Sequence, residues 1–262
     1  MSYIAGLDIG SAVSKAVIME DGHLKSYSTY ATGGNFSVAA DKVFNDALAK
    51  AQLSSSDISL IGATGMGVRF ISQAFTKITE ISCHSRGTHY LLPEVRTLVE
   101  VGNQASKVIK VTSSGRVADS LVSDKCAAGS GRVLQVVAKV IKVKLEEMGA
   151  LSLKSARPVK FTTGCAVFLE TEAISRVAEG NAKEDIIAGL HNTMSARIGA
   201  MVQRMRIEED CAMTGGGAKD RGLVKKMEEK LGKTLFVPEE PLITGAIGAA
   251  LIVPEKHPTA EK

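Results

Sequence analysis

One order of features is written twice into the 262 residues of this chain, and it restricts the fold more than anything else in them. An apolar strand over Ser2–Ile9 runs into a turn of small and polar residues, a returning strand over Ala16–Met19, a second turn at Asp21-Gly22 and a third strand around Leu24–Tyr30. About 95 residues later the order returns as Thr97–Val101, the turn Gly102–Lys107, Val108–Val111 and Val117–Val122. Helical periodicity separates the copies over Phe36–Ala51, where Asn35 is the expected cap, and a strand over Ile58–Ala63 follows it. A repeat of this kind predicts an α/β protein of two similar halves with a ligand cleft between them.

Composition removes several classes of function. Net charge is +4, with lysine, arginine and acids spread along the length, which describes a solvated mixed-charge surface rather than a nucleic-acid footprint. Tryptophan is absent and aromatics make up 4%, so stacking platforms for single strands are not expected. No apolar run approaches the roughly 18 to 20 residues of a membrane span, and no export signal opens the chain, so a cytoplasmic protein without a membrane partner is expected. Four cysteines in that setting point to metal binding, catalysis or burial rather than to a disulfide framework.

The turns carry the first chemistry. Asp8 precedes Gly10, Ser11, Ala12, Val13, Ser14 and Lys15. Small residues let backbone amides approach an anion, the hydroxyls and Lys15 can donate to phosphate, and Asp8 could hold a hydrated Mg²⁺; the same residues also make an ordinary hairpin, and both readings stand. Further on, Gly215-Gly216-Gly217-Ala218 lies between a strand at Cys211–Thr214 and a helix over Arg221–Leu231, where bare backbone suits a flat ring or a phosphate. Ile243–Leu251 reads as a small-residue helix able to pack closely on a neighbour. Cys83 and His84 are adjacent, so their side chains diverge, and a buried cysteine beside a helix-start histidine is favoured over a metal pair. Ala182–Arg206 reads as one long helix, Leu145–Leu151 as a short one, and a short strand is expected between Pro158 and Cys165.

The second chemistry is sulfur. Cys126, in Lys125-Cys126-Ala127-Ala128-Gly129-Ser130-Gly131-Arg132, and Cys165, in Thr162–Glu170, each stand among small residues ahead of a helical pattern. Unpaired N–H groups and the positive end of a helix favour the thiolate, the form that binds metal. A cubane cluster takes four thiolates and this chain offers two matching segments, so a two-fold dimer that pools its cysteines completes a site.

The separated turns and the closing Gly245-Ala246-Ile247-Gly248 helix resemble the phosphate, adenosine and connecting motifs of the sugar kinase, actin and chaperone ATPase superfamily. Within it, Asp8-Ile9-Gly10-Ser11, Glu80-Ile81-Ser82-Cys83-His84, Asp124–Gly129, Cys165-Ala166-Val167-Phe168 and Met213-Thr214-Gly215-Gly216 resemble the activator ATPases of 2-hydroxyacyl-CoA dehydratases and the ATPase subunits of benzoyl-CoA reductases. The resemblance implies two RNase H-like lobes, one of residues 1–96 completed by 244–262, the other of residues 97–243 carrying the cluster cysteines. It implies ATP or ADP with Mg²⁺ in the cleft and one 4Fe-4S cluster per dimer, and an electron passed from ferredoxin or flavodoxin to an iron–sulfur dehydratase or reductase. Carried over by motif, Asp8, Glu100 and Gln104 serve hydrolysis. Gly10 to Lys15, Gly102, Asn103, Gly129, Gly215 to Gly217, Lys219 and Gly245 hold nucleotide, and Cys126 and Cys165 ligate the cluster. One departure stands out: where the family reads Asp-Ile-Gly-Gly-Gln-Asp, this chain reads Glu100-Val101-Gly102-Asn103-Gln104-Ala105. That leaves an alternative, a non-hydrolysing paralogue that forms the regulatory half of a heterodimer. Cys165-Ala166-Val167 resembles the benzoyl-CoA reductase branch more, which also fits a heterodimer.

Overall fold

In the computed structural model, which describes residues 2–123, 129–162, 165–206 and 210–257, strands and helices alternate along the chain. The order is β1 (Tyr3–Ile9), β2 (Val13–Glu20), β3 (His23–Ala31), α1 (Phe36–Ala51), β4 (Ile58–Thr64), β5 (Thr76–Lys77) and α2 (Glu80–Leu91). There follow β6 (Thr97–Val101), β7 (Ser106–Val111), β8 (Val117–Val122), α3 (Gly131–Val140), α4 (Met148–Ser152), α5 (Ala166–Ala178) and α6 (Lys183–Met205). The chain closes with β9 (Cys211–Thr214), α7 (Arg221–Leu231), β10 (Leu235–Phe236) and α8 (Thr244–Lys256).

These elements form two units. The first holds the chain through Glu94, Val111–Ala118 and the segment from Leu242 onward; the second holds Val95–Lys110 and Asp119–Pro241. Each contains one five-stranded sheet. In the first the order is β3-β2-β1-β4-β5, and in the second it is β8-β7-β6-β9-β10. β1 pairs antiparallel with β2 and parallel with β4, as β6 pairs antiparallel with β7 and parallel with β9. The fold is therefore mixed α/β with one RNase H-like, actin-like plan used twice.

Local sequence explains the helix limits. The Asn35 side chain accepts from the amides of Ser37 and Val38, so α1 starts there. Asp220 caps α7 in the same way, and Gly232, at φ 64°, ends it in the left-handed conformation that glycine tolerates best. In the first unit Leu7, Ile9 and Ile18 pack against Val43, Phe44 and Leu48 of α1. Val17 and Met19, on the opposite face of the sheet, pack against Ile247 and Ala250 of α8. The second core gathers Val99 and Val101 with Val137, Leu190, Met194 and Ile198.

α8 reaches the sheet and α2 without intervening side chains. A Cβ on Gly6 would collide with the Ala246 carbonyl oxygen, one on Gly87 with that of Thr244, and one on Gly248 with that of Cys83. The small residues of Thr244–Leu251 thus do what the sequence pattern suggested, bringing backbone onto backbone.

Two expectations are revised. β2 and β7 begin at Val13 and Ser106, earlier than the strand starts expected at Ala16 and Val108, because the antiparallel registers Ile9↔Ser14 and Val101↔Ser106 continue almost to the turn. No strand is described between Pro158 and Cys165. There the Val159 amide donates to the Asp185 carbonyl at 3.1 Å and the Thr162 amide to the Glu172 carboxylate at 2.8 Å, so helix ends and a side chain replace a sheet partner.

Candidate functional site

Side chains alternate along β1, so Leu7 and Ile9 enter the core while Gly6 and Asp8 share the face that α8 covers. The register places Lys15 opposite Asp8, and its Nζ donates to Asp8 Oδ2 at 2.9 Å with both side chains largely buried. The parallel register sets Thr64 of β4 beside Asp8. Gly65 follows at φ +92°, where a Cβ would stand 2.7 Å from Asp8 Oδ1, so the carboxylate requires bare backbone on that side. On the other side is Gly245, whose Cβ would stand 2.9 Å from Asp8 Oδ2. Gly245 belongs to the first turn of α8, so the carboxylate lies by the positive end of that helix.

The second unit builds the same arrangement from its own residues. Lys107 lies opposite Glu100 and donates to Oε2 at 2.8 Å; the two side chains are 11% and 5% exposed. Thr214 of β9 stands beside Glu100 in the parallel register, and Gly215 follows at φ +80°, where a Cβ would be 2.7 Å from Glu100 Oε1. A Cβ on Gly102 would come as close to the same oxygen. An acid, a lysine seven residues on, a buried threonine and a left-handed glycine thus recur in both units, and the lysine spacing was readable in the sequence. Neither Lys107 nor the two threonines stood among the expected site residues.

The remaining expected site residues distribute around these two turns. Ser14 is fully buried and its hydroxyl is 3.0 Å from that of Thr32, which in turn donates to the Gly10 carbonyl at 2.7 Å. Ser14 therefore braces the turn from within β2, while Gly10, Ser11 and Ala12 form the loop itself. In the second unit the carbonyls of Gly102 and Asn103 accept from the first amides of α3, Gly131 at 2.8 Å and Arg132 at 3.1 Å, and Gln104 is exposed. The Ser106 hydroxyl donates to the Gly129 carbonyl. Gly215 donates its amide to the Pro241 carbonyl at 2.9 Å, and Gly216–Lys219 form a single 3-10 turn. Lys219 pairs with Glu240 at 2.8 Å and, with Ala218, Arg221, Lys225, Val237 and Pro238, lines a cavity of about 790 Å³.

Among the described residues no cluster of three or more His, Cys, Asp or Glu could by itself hold a metal ion. Cys165 is the N-cap of α5 and is partly exposed. Cys126 lies outside the described residues. Cys83, completely buried, has its thiol pushed up to about 12 by desolvation, and burial raises that of Cys211 as well. Thiols held protonated in this way are poor metal ligands. On α5, beyond Cys165, Phe168, Ile174 and Val177 are 61%, 53% and 44% exposed, an apolar set directed at solvent. No described helix is long and apolar enough to cross a membrane.

A lysine beside an acid in a glycine-walled turn is suited to exchange: an incoming phosphate can take the lysine and leave the carboxylate to a hydrated cation. The model of the BadF/BadG/BcrA/BcrD ATPase family matches residues 5–253. The 2-hydroxyisocaproyl-CoA dehydratase activator of Clostridioides difficile is 37% identical over 99% of this chain and 98% of its own. A benzoyl-CoA reductase subunit of Thauera aromatica is 29% identical over 96% and 93%. The solved structure of the activator of the 2-hydroxyisocaproyl-CoA dehydratase from Clostridium difficile with bound ADPNP superposes with a TM-score of 0.91 at 36% identity, covering 99% of both chains.

Proposed function

Because the chain belongs to the BadF/BadG/BcrA/BcrD ATPase family, we propose that it is an ATP-dependent activator that passes a low-potential electron to an iron–sulfur dehydratase or reductase acting on an acyl-CoA. The observation that carries this reading is the twin acid–lysine turn, Asp8–Lys15 and Glu100–Lys107, each backed by a glycine that leaves its carboxylate room. In the first unit, Lys15 and the amides of Gly10 to Ala12 bind phosphate oxygens, and Asp8 orients the waters of Mg²⁺. A single carboxylate fits that ion, which keeps most of its waters and takes the rest of its ligands from phosphates. In the second unit, Glu100 and Gln104 order the attacking water, and Gly215 to Gly217 with Lys219 receive the adenosine.

For the redox half, the residues present fit a shared cluster in chemistry: Cys165, a partly exposed thiol, stands at the N-terminus of a helix of 13 residues. When bound by Cys126 and Cys165 of two subunits, a 4Fe-4S cluster supplies a one-electron carrier whose potential follows its hydrogen bonds and exposure. The exposed Ile174 and Val177, three residues apart on the same helix, give a second copy, or a paralogous chain, an apolar patch to cover. The greater identity to the dehydratase activator, 37% against 29% for the benzoyl-CoA reductase relative, favours a dehydratase as the partner. Ferredoxin or flavodoxin is the electron source this reading requires.

Anaerobic purification with iron counted per protomer, together with Mg²⁺-dependent ATP turnover, tests the proposal. About two irons each and clear hydrolysis are expected; a colourless, iron-free protein without nucleotide turnover sinks it. A second reading has its own support in Glu100, Asn103 and Ala105: a paralogue that binds cluster and nucleotide but leaves hydrolysis to a mate. Two irons without turnover by the chain alone would select it.

A further inference from the structure

His84 was left over from the sequence as the neighbour of a buried cysteine, and its surroundings give it work. α2 and α8 meet through Gly87 and Gly248, whose missing side chains let the two backbones touch. That contact brings His84, on the buried face of α2, against the first turn of α8, and its Nδ1 is 3.2 Å from Thr244 Oγ1. Both residues are buried, His84 at 6% exposure and Thr244 at none. The next residue is Gly245. The point its Cβ would occupy lies 3.2 Å from His84 Cε1 and 2.9 Å from Asp8 Oδ2, so imidazole and carboxylate both border the space that the missing side chain leaves. Lys15 and the Gly65 backbone bound the carboxylate elsewhere.

We propose that His84 is a positioning residue for Asp8: anchored at Nδ1 by Thr244, its ring forms the wall that fixes the carboxylate where a hydrated cation on the nucleotide phosphates can use it. This rests on the reading of Asp8 given above. Glycine at 245 is part of the device, because any side chain there would drive ring and carboxylate apart. Groups that orient a metal-binding carboxylate typically change metal affinity or activity 10- to 100-fold when removed.

The test measures affinity for a fluorescent ADP analogue, with Mg²⁺ and with chelator, in the full chain. His84→Ala is expected to lose about tenfold or more of the tightening that Mg²⁺ confers on the wild type, and to leave affinity in chelator unchanged. In turnover the loss should fall on kcat rather than on KM for ATP. His84→Asn, whose amide can still bond Thr244, should recover most of the Mg²⁺ effect. Gly245→Ala should reproduce the loss, and it serves as the probe if His84→Ala does not fold. Asp8→Asn is the reference. Mg²⁺ tightening kept in His84→Ala and Gly245→Ala but lost in Asp8→Asn overturns the role of His84 alone; tightening kept in Asp8→Asn overturns the reading of Asp8 and this proposal with it.

Discussion

Glu100 and Lys107 are bound to each other in a place where neither could be left alone. With 5% and 11% of their side chains exposed, each depends on the other to offset its lost hydration. Lys107→Met is therefore expected to destabilise the protein by about 3–5 kcal/mol, and Glu100→Gln with Lys107→Met together to cost less than Lys107→Met alone, since breaking a buried pair costs more than replacing it. Denaturant unfolding of these variants checks this. Cys83 supplies a pH dependence. Its folded thiol ionises only at about 12, whereas an unfolded thiol ionises near ~8.5, so over that interval the native state retains a proton that the unfolded state releases. The stability this gives is complete below about pH 8.5 and is lost as pH rises toward 12. Cys83→Ala should flatten the fall in unfolding free energy between about pH 8 and 10.5; an unchanged slope would mean the thiol is not desolvated as the fold requires.

At the level of elements, α8 is the most demanding contact. It approaches β1 at Gly6, β4 at Gly62 and α2 at Gly87 and Gly248, each time through bare backbone. Gly248→Ala would favour the helix by propensity, by up to about 1 kcal/mol, yet the added methyl has the Cys83 carbonyl in its way. Overpacking of that kind typically costs about 1–3 kcal/mol, so a net loss of stability is expected, read as a lower Tm. Alanine at Gly34, which has no atom within 4 Å of its Cβ position, is the control and should change Tm little. The helix was foreseeable as a closely packing one because Gly245, Ala246, Gly248, Ala249 and Ala250 crowd its sequence, but which elements it would touch was not. The two-residue strands β5 and β10 escaped notice for a related reason: each exists by pairing with one neighbour, β4 or β9, and carries no pattern of its own.

For the molecule as a whole, the proposed function raises the question whether Glu100, Asn103 and Ala105 permit hydrolysis. Glu100→Asp, Asn103→Gly and Ala105→Asp in one chain restore the family pattern except at Val101, and ATP turnover should rise by about tenfold or more if positioning of metal or water is what the departures impair. Turnover unchanged, with nucleotide affinity unchanged, would show that this loop does not limit the rate. Much of this architecture could be read early. The doubled strand order, the cap at Asn35, the long helix through Met194 and the glycine run at 215–217 are local patterns, and spacing of apolar and small residues specifies them without reference to anything distant. Other features exist only between segments. Lys107 meets Glu100 through an antiparallel register, Thr64 and Thr214 join their acids through parallel ones, Ser14 turns inward to Thr32, and His84 meets Thr244 in a helix 160 positions further on. Sequence alone determined where the long helices and the principal strands lie, because those choices depend on neighbours a few residues away, whereas the short strands β5 and β10 form only by pairing. Tertiary structure alone decided which buried polar groups face one another, because desolvation leaves each of them stable only where another segment brings its partner.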